Sequence, residues 1–83
     1  MHLSQFVVIG SFSAWSPGDR DRPDRRICVS PGERHLFTDG TDQTGMFVKF
    51  LKNGLWYEAE RREFDQATML FTGEAAQGAA PCL

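Results

Sequence analysis

Residues 47–64, FVKFLKNGLWYEAERREF, form the most organised stretch of the chain. Asn53-Gly54 stands between two apolar-rich arms, and this dipeptide suits a type I′ turn, which needs positive φ at both central residues. The sequence therefore predicts a tight β-hairpin whose pairing starts at Lys52 and Leu55. Because every later pair follows from that first one, the turn sets the register of the whole hairpin.

The register sorts the side chains of this hairpin onto two faces, because side chains alternate along a strand. The first face is an uninterrupted core set: Met46, Val48, Phe50, Leu55, Tyr57 and Ala59. The second face is mixed: Phe47, Lys49, Leu51, Trp56, Glu58 and Glu60. On it, the apolar triad of Phe47, Leu51 and Trp56 is larger than a monomer usually leaves bare. The triad has three candidate covers: a C-terminal helix or tail of the same chain, a second copy, or a partner.

Length and composition predict one small folded domain. The 83 residues are enough for a single core. A hydrophobic fraction of 41% and an aromatic fraction of 12% supply the large side chains that such a core needs. The net charge of −2 gives no overall basic field that would attract nucleic acid. We expect the domain to span residues 1–72 and a Gly/Ala-rich tail to span residues 73–83.

The chain carries no sign of a membrane or secretory segment. No stretch approaches the roughly 20 apolar residues that a spanning helix needs, so we expect no membrane partner. Residues 1–10, MHLSQFVVIG, lack the basic start and long apolar run of a signal peptide. The two cysteines, Cys28 and Cys82, do not form a disulfide framework. We therefore predict a soluble cytoplasmic protein in which Cys28 is a buried structural thiol.

Further strands flank the hairpin on its N-terminal side. Residues 5–12, QFVVIGSF, are apolar on both sides, which is typical of a central strand that is covered on two faces. Residues 26–30 and 34–38 alternate like strands and are joined through Pro31-Gly32, which suits the centre of a type II turn.

The segment after the hairpin is ambiguous between helix and strand. Apolar or small residues recur there at helical spacing: Phe64, Ala67, Thr68 and Phe71. Asp65 suits the cap of a short helix that begins at Gln66. Residues 67–71, ATMLF, equally suit a closing strand. We expect the hairpin strand to run to about Arg61 and a short helix or helical turn to cover one end of the sheet.

This order of elements predicts a mainly β fold: a small antiparallel five-stranded barrel or strongly bent sheet, with one short C-terminal helix or helical turn. In outline it resembles an SH3-like barrel, with a long loop after the first strand, a tight later turn and a helical turn near the end. The resemblance is one of layout, carries no residue motif, and implies nothing about function. An open four- or five-stranded sheet backed by one helix is the alternative.

Residues 16–26, SPGDRDRPDRR, predict a long solvated loop, here called the Arg loop. One interpretation is a mobile charged loop whose ion pairs contribute little. The other is a loop that grips phosphate or carboxylate on a partner through its four arginines: Arg20, Arg22, Arg25 and Arg26. Nucleic acid would also stack its bases on Trp15 or Trp56. Aspartates interleave with the arginines, and this pattern favours a protein over nucleic acid as the partner.

No constellation of residues indicates catalysis. His2 and His35 are isolated, and we expect His35 to be a surface residue of a strand. Glu58 and Glu60 share a strand face, which predicts a solvated charged face. The polar loop at residues 39–45 matches no calcium-binding template. We predict no catalytic residue, metal or cofactor.

The favoured function is a non-enzymatic interaction module that self-associates or binds a protein partner through the apolar triad. Trp, Tyr, Phe and Arg are the residues that dominate interface hot spots, so Trp15 and the loop arginines join the candidate binding residues. A small nucleic-acid-binding accessory protein that uses the Arg loop is the first alternative. An enzyme whose site is shared between subunits is the second, since one chain of this size has no room for a deep cleft.

Overall fold

The computed structural model of the protein describes residues 3–38 and 45–71. Within these ranges the strands are β1 (Leu3–Val8), β2 (Phe12–Ala14), β3 (Ile27–Val29), β4 (Arg34–Thr38), β5 (Phe47–Lys52), β6 (Leu55–Glu60) and β7 (Thr68–Leu70). A 3-10 turn covers Pro23–Arg25, and one α-helix, α1, covers Arg61–Ala67. The predicted tail and most of the predicted polar loop at 39–45 lie outside the described residues.

The strands form one antiparallel five-stranded sheet in the order β6-β5-β4-β1-β7, and a separate antiparallel pair, β2-β3. The mainly β prediction is therefore confirmed. Across the part of the chain that is described, the strands do not close into a barrel. An open sheet backed by a helix, the alternative architecture, describes the molecule better.

The hairpin forms with the predicted register throughout, from Lys52 with Leu55 to Phe47 with Glu60. Asn53 has φ of 55° and Gly54 has φ of 79°, which is the conformation that a type I′ turn requires. This two-residue turn fixes which side chains of β5 and β6 enter the core, because a slip of one residue would invert both strands.

The core lies between one face of the five-stranded sheet, here called the inner face, and a cover made of α1 and the β2-β3 pair. Its buried residues are Phe6, Val8, Phe12, Ala14, Val29, Val48, Phe50, Ala59, Phe64 and Ala67. Phe64 of α1 packs edge-on against Phe6, with ring centroids 4.8 Å apart. Phe12 of β2 packs against Phe50 at 5.8 Å. Four of the ten core residues are phenylalanines, whose large rings help a short chain to build a core.

Strand β1 is an interior strand, as its sequence predicts, but the single strand expected over residues 5–12 ends at Val8, and Phe12 belongs to the separate β2-β3 pair. Phe6, Val7 and Val8 are all buried, although they alternate between the two faces of the sheet. The turn after β3 also has the predicted form: Gly32 has φ of 93°, and the Glu33 backbone N–H donates to the Ser30 carbonyl over 3.3 Å.

The segment after the hairpin contains both a helix and a strand; the hairpin strand ends close to the predicted Arg61, but the predicted start of the helix is wrong. Strand β6 ends at Glu60 and α1 begins at once with Arg61, five residues before the helix start predicted from Asp65. Residues 68–70 leave the helical pattern because they pair with β1 as strand β7. Pairing with an existing strand edge therefore overrides the local helical spacing.

Candidate functional site

The second face of the hairpin lies on the side of the sheet opposite the core, here called the outer face. Phe47, Leu51 and Trp56 all point to it and are half-buried. The apolar triad does not, however, form one continuous surface. Phe47 lies at one end beneath the Arg loop, while Leu51 and Trp56 face each other as a cross-strand pair closer to the turn.

Trp15 is the residue that brings the Arg loop to this face. It extends β2 by one residue and forms an antiparallel bridge to Glu58 of β6. The Trp15 backbone N–H donates to the Glu58 carbonyl over 3.0 Å, and the Glu58 N–H donates to the Trp15 carbonyl over 2.7 Å. Because paired residues share a face, the bridge puts the indole of Trp15 and the carboxylate of Glu58 on the outer face together.

These two side chains and Phe47 form a compact group, here called the Trp15 cluster. The indole Nε1–H of Trp15 donates to Glu58 Oε1 over 3.0 Å. The rings of Trp15 and Phe47 meet nearly at right angles, at 79°, with centroids 6.0 Å apart. Edge-to-face contacts of this kind add to the stability that burial alone provides.

Two arginines of the Arg loop cover the Trp15 cluster. The Arg20 guanidinium carbon lies 3.6 Å from the centroid of the Phe47 ring, and one of its nitrogens lies 3.6 Å from Glu58 Oε1. The Arg26 guanidinium lies 4.7 Å from the Trp15 ring centroid and donates to the Arg20 carbonyl over 3.4 Å. Both arginines thus make cation–π contacts, which are strongest where water is partly excluded.

The prediction that Glu58 lies on a solvated charged face is wrong. It is 8% exposed and does not belong to a solvated charged face, whereas Glu60 on the same strand is exposed. A carboxylate this buried must be matched by donors, and the indole and Arg20 supply them. The arrangement can hold a cation against two aromatic walls.

Arg22 and Arg25, the other two candidates in the Arg loop, lie apart from the Trp15 cluster. Both are exposed, and neither forms an ion pair with any residue in the described ranges. The Arg loop is therefore solvated along its length but attached to the Trp15 cluster through the side chains of Arg20 and Arg26. The Arg loop covers Phe47 through Arg20, which is a cover that the sequence did not predict.

Leu36 of β4 was missed by the sequence analysis and completes the other end of the outer face. It pairs with Leu51, which in turn pairs with Trp56, so the three side chains lie side by side across three strands. Leu36 is 40% exposed and its two neighbours are half-buried. We call these three residues the apolar row. The alternation of residues 34–38 could have assigned Leu36 to this row only if the sequence had also shown that β4 lies beside β5.

A polar group at the edge of the core was also missed. Glu33 accepts a hydrogen bond from the Lys52 ammonium, lies 2.7 Å from His35 Nε2, and accepts from the Ser30 backbone N–H over 2.8 Å. Partial burial opposes ionisation of the Glu33 carboxyl, but these three partners outweigh it and lower its pKa from the ordinary 4.5 to about 2. The group ties the turn after β3 to the hairpin.

Two single-residue predictions are wrong. His35 is not a surface residue, because its ring packs 5.8 Å from Phe6 and 6.2 Å from Phe50 beside Glu33. Cys28 is exposed rather than buried, since Ile27 and Val29 take the core side of β3. Cys28 is a free thiol.

Among residues 3–38 and 45–71, no three His, Cys, Asp or Glu side chains come together as a metal site would require. No α-helix in those ranges has the length and apolar character to cross a bilayer. The chain matches no known family model, no curated protein and no solved structure, so its function must be argued from its own residues.

Proposed function

We propose that this protein is a non-enzymatic interaction domain that self-associates through the outer face of its sheet. The observation that carries the proposal is the apolar row, in which Leu36, Leu51 and Trp56 lie in register across three strands and remain partly exposed. Contiguous apolar patches of this kind mark interaction surfaces, and tryptophan is the residue most enriched at their centres.

The packing of the rest of the domain supports this choice of surface. Helix α1 and the β2-β3 pair both pack on the inner face, where Phe64 and Phe12 enter the core. The Arg loop covers the outer face only at its Phe47 end. Within the described parts of the chain, no element lies across the apolar row.

A second copy of the chain is the occupant that suits this surface. Two sheets can pack face to face at about 10 Å, and a two-fold axis through Leu51 would place each apolar row on the other. Lys49 and Arg34 lie on the same face at either side of the row and are exposed, so they would form a charged rim. An apolar centre with a polar rim is the usual anatomy of an interface.

The test is the mass of the protein in solution as a function of concentration, measured by sedimentation equilibrium. The wild-type protein should rise from monomer toward dimer as its concentration increases through the micromolar range. Leu36→Glu should keep the protein monomeric, because it places a charge in the apolar row without entering the core.

Leu55→Glu is the matched control. Leu55 is 60% exposed and belongs to the same hairpin, but its side chain is on the opposite side of the sheet. This variant should dimerise like the wild type. A wild-type protein that stays monomeric at high micromolar concentration, or equal loss of dimer in both variants, would remove self-association through this face.

The layout of the domain supports a further part of the proposal, namely that it is an SH3-like variant. The sheet order β6-β5-β4-β1-β7 places the last strand beside the first, and a short helix precedes that last strand. The long connection between β1 and β4 carries an inserted pair, β2-β3. An experimental structure in which β6 pairs continuously with β2, closing the sheet, would support this assignment, and a sheet that stays open would count against it.

The exposed thiol of Cys28 is compatible with a reducing cytoplasm, where we place the protein. Measurement of free thiols in protein purified without reductant would test this placement. Two free thiols per chain are expected.

A further inference from the structure

The Trp15 cluster has the parts of a site for an organic cation. Phe47 offers the face of a ring, Trp15 stands almost perpendicular to it as a second wall, and Glu58 supplies a negative charge between them. Aromatic faces combined with an anion are the means by which proteins hold guanidinium and ammonium groups. Two cations of this chain already lie against the cluster: the guanidinium carbon of Arg20 is 3.6 Å from the Phe47 ring centroid, and that of Arg26 is 4.7 Å from the Trp15 ring centroid.

The walls of the site are held by the sheet and not by Arg20. Two backbone hydrogen bonds of the Trp15–Glu58 bridge and the indole bond to Oε1 fix the ring and the carboxylate relative to each other. Phe47 is fixed by its pairing in the hairpin. A site built in this way keeps its shape when its occupant leaves, and preorganisation of this kind favours binding.

The side chain of Arg20, the occupant of the site, is in contrast held there, among the residues described, only by its contacts with Phe47 and Glu58. Arg20 is 47% exposed. Within the described residues, the backbone hydrogen bonds of the Arg loop all stay inside the loop and join residues three apart, as from Asp19 to Ser16 and from Arg22 to Asp19. Arg20 can therefore leave the ring of Phe47 without breaking any backbone hydrogen bond to the sheet.

We propose that Trp15, Phe47 and Glu58 form a guanidinium-binding site, which Arg20 fills in the free protein and an arginine side chain of a partner protein fills in its place. A planar guanidinium stacks on a ring and pairs with a carboxylate at the same time, which the compact ammonium of lysine does not do. The Arg loop then acts as a tethered competitor that the partner must displace. This site lies beyond the apolar row and does not depend on self-association.

The experiment uses the Arg20→Ala variant of the whole chain and N-acetyl-arginine amide as the probe. The readout is the NMR signal of the Trp15 indole N–H, assigned with the help of Trp56→Phe. In Arg20→Ala the signal should shift and saturate as the probe is added. The affinity should be at least about tenfold higher than in the wild type, where the tethered Arg20 competes at high effective concentration.

Three controls define the result. Arg22→Ala, from the same loop but outside the Trp15 cluster, should bind the probe as weakly as the wild type does. Arg20→Ala combined with Glu58→Gln should lose binding, because the anion is gone. N-acetyl-lysine amide at the same ionic strength should bind Arg20→Ala at least about fivefold more weakly than the arginine probe.

The outcomes against the proposal are equally specific. A folded Arg20→Ala variant with no saturable shift overturns it, and so does equal binding of the lysine and arginine probes. The titration is repeated with Arg20→Gln, which keeps a polar side chain at this position, and with the wild type at higher probe concentration. If neither these two proteins nor Arg20→Ala shows a shift, the proposal is also overturned. Since all titrations are made in a Leu36→Glu background, which keeps the protein monomeric, this result is separate from the dimerisation test.

Discussion

The two faces of the hairpin contain similar residues that end in different environments. On the inner face Phe50 is fully buried, with Phe6, Phe12 and Phe64 packed around its ring. On the outer face, three residues earlier in the same strand, Phe47 is half-buried under the guanidinium of Arg20. The ring of Phe50 is enclosed by other aromatic side chains, whereas the ring of Phe47 is covered by a charged side chain that is partly exposed to water.

The difference shows how a small domain can cover its apolar surface when it has too few apolar side chains to cover both faces of its sheet. The inner face takes up α1 and the β2-β3 pair, which supply Phe64 and Phe12. At its Phe47 end the outer face is covered instead by Arg20, whose guanidinium lies over the ring while its side chain stays 47% exposed to solvent. Such a cover is weaker than a packed core and can be exchanged, so the outer face is where we locate binding.

The largest effect should separate the two phenylalanines. Phe50→Ala should lower the free energy of unfolding by about 3–5 kcal/mol, because it removes a fully enclosed ring and leaves a cavity. Phe47→Ala should lower it by only about 1–2 kcal/mol, because water already reaches that ring. Urea unfolding followed by circular dichroism measures both values. Equal losses would mean that the two faces are packed alike.

A second contrast tests whether Glu58 belongs to an enclosed site. Glu58→Ala should cost about 2 kcal/mol of stability, because it leaves the indole N–H of Trp15 without its acceptor and removes the charge that faces Arg20. Glu60→Ala, on the same face of the same strand, should change stability by less than about 0.5 kcal/mol, since its side chain is exposed. The same urea titrations apply, and the ranking of the two variants is the decisive result.

The pH dependence of stability should reveal the Glu33 group. Its pKa in the folded protein, about 2, lies below the ordinary 4.5, so its contribution is complete above pH 4.5 and is lost as the pH falls toward 2. The side chain is 24% exposed, and after screening we expect a loss of about 1–2 kcal/mol across that range.

Glu33→Gln is the control, because other carboxylates also titrate in acid. The stability difference between wild type and variant should be present at pH 7 and should shrink steadily below pH 4.5. A difference that stays constant from pH 7 to pH 2.5 would show that Glu33 does not carry this pH dependence.

The smallest effect distinguishes arginines within the Arg loop. Arg20→Ala should cost about 0.5–1 kcal/mol through loss of its contacts with Phe47 and Glu58. Arg22→Ala should stay within about 0.5 kcal/mol of the wild type, because its side chain is exposed. Thermal unfolding of the two variants side by side provides the comparison, and indistinguishable melting curves would mean that Arg20 does not hold the loop.

The parts of the fold that depend on neighbouring residues were predictable. Asn53-Gly54 determined the hairpin and its register, because few residues accept positive φ and the turn then dictates every pair. Pro31-Gly32 determined the turn after β3 in the same way. In α1, Phe64 and Ala67 are buried three residues apart as their spacing predicted, although the helix begins earlier than the cap signal at Asp65 suggested.

The parts that depend on distant residues were not predictable. The contact of Arg20 with Phe47 and the bridge between Trp15 and Glu58 join segments with no local signal for each other. The prediction for His35 was wrong for the same reason. Its ring reaches the core because β4 pairs with β1, and that pairing has no local signal in the sequence. The apolar row likewise required knowing that β4 lies beside β5, which brings Leu36 to Leu51.

The pairing of β1 with β7 has a consequence for how the protein is made. Val8 pairs with Thr68, so one edge of an apolar strand finds its neighbour only after almost the entire described chain has left the ribosome. Until then that edge offers unpaired backbone groups beside Phe6 and Val7, and such edges recruit strands from other chains. Pairings this distant in sequence also form slowly. The nascent chain therefore passes through an interval in which β1 is paired along one edge only, and we expect its yield to depend on how quickly β7 is synthesised.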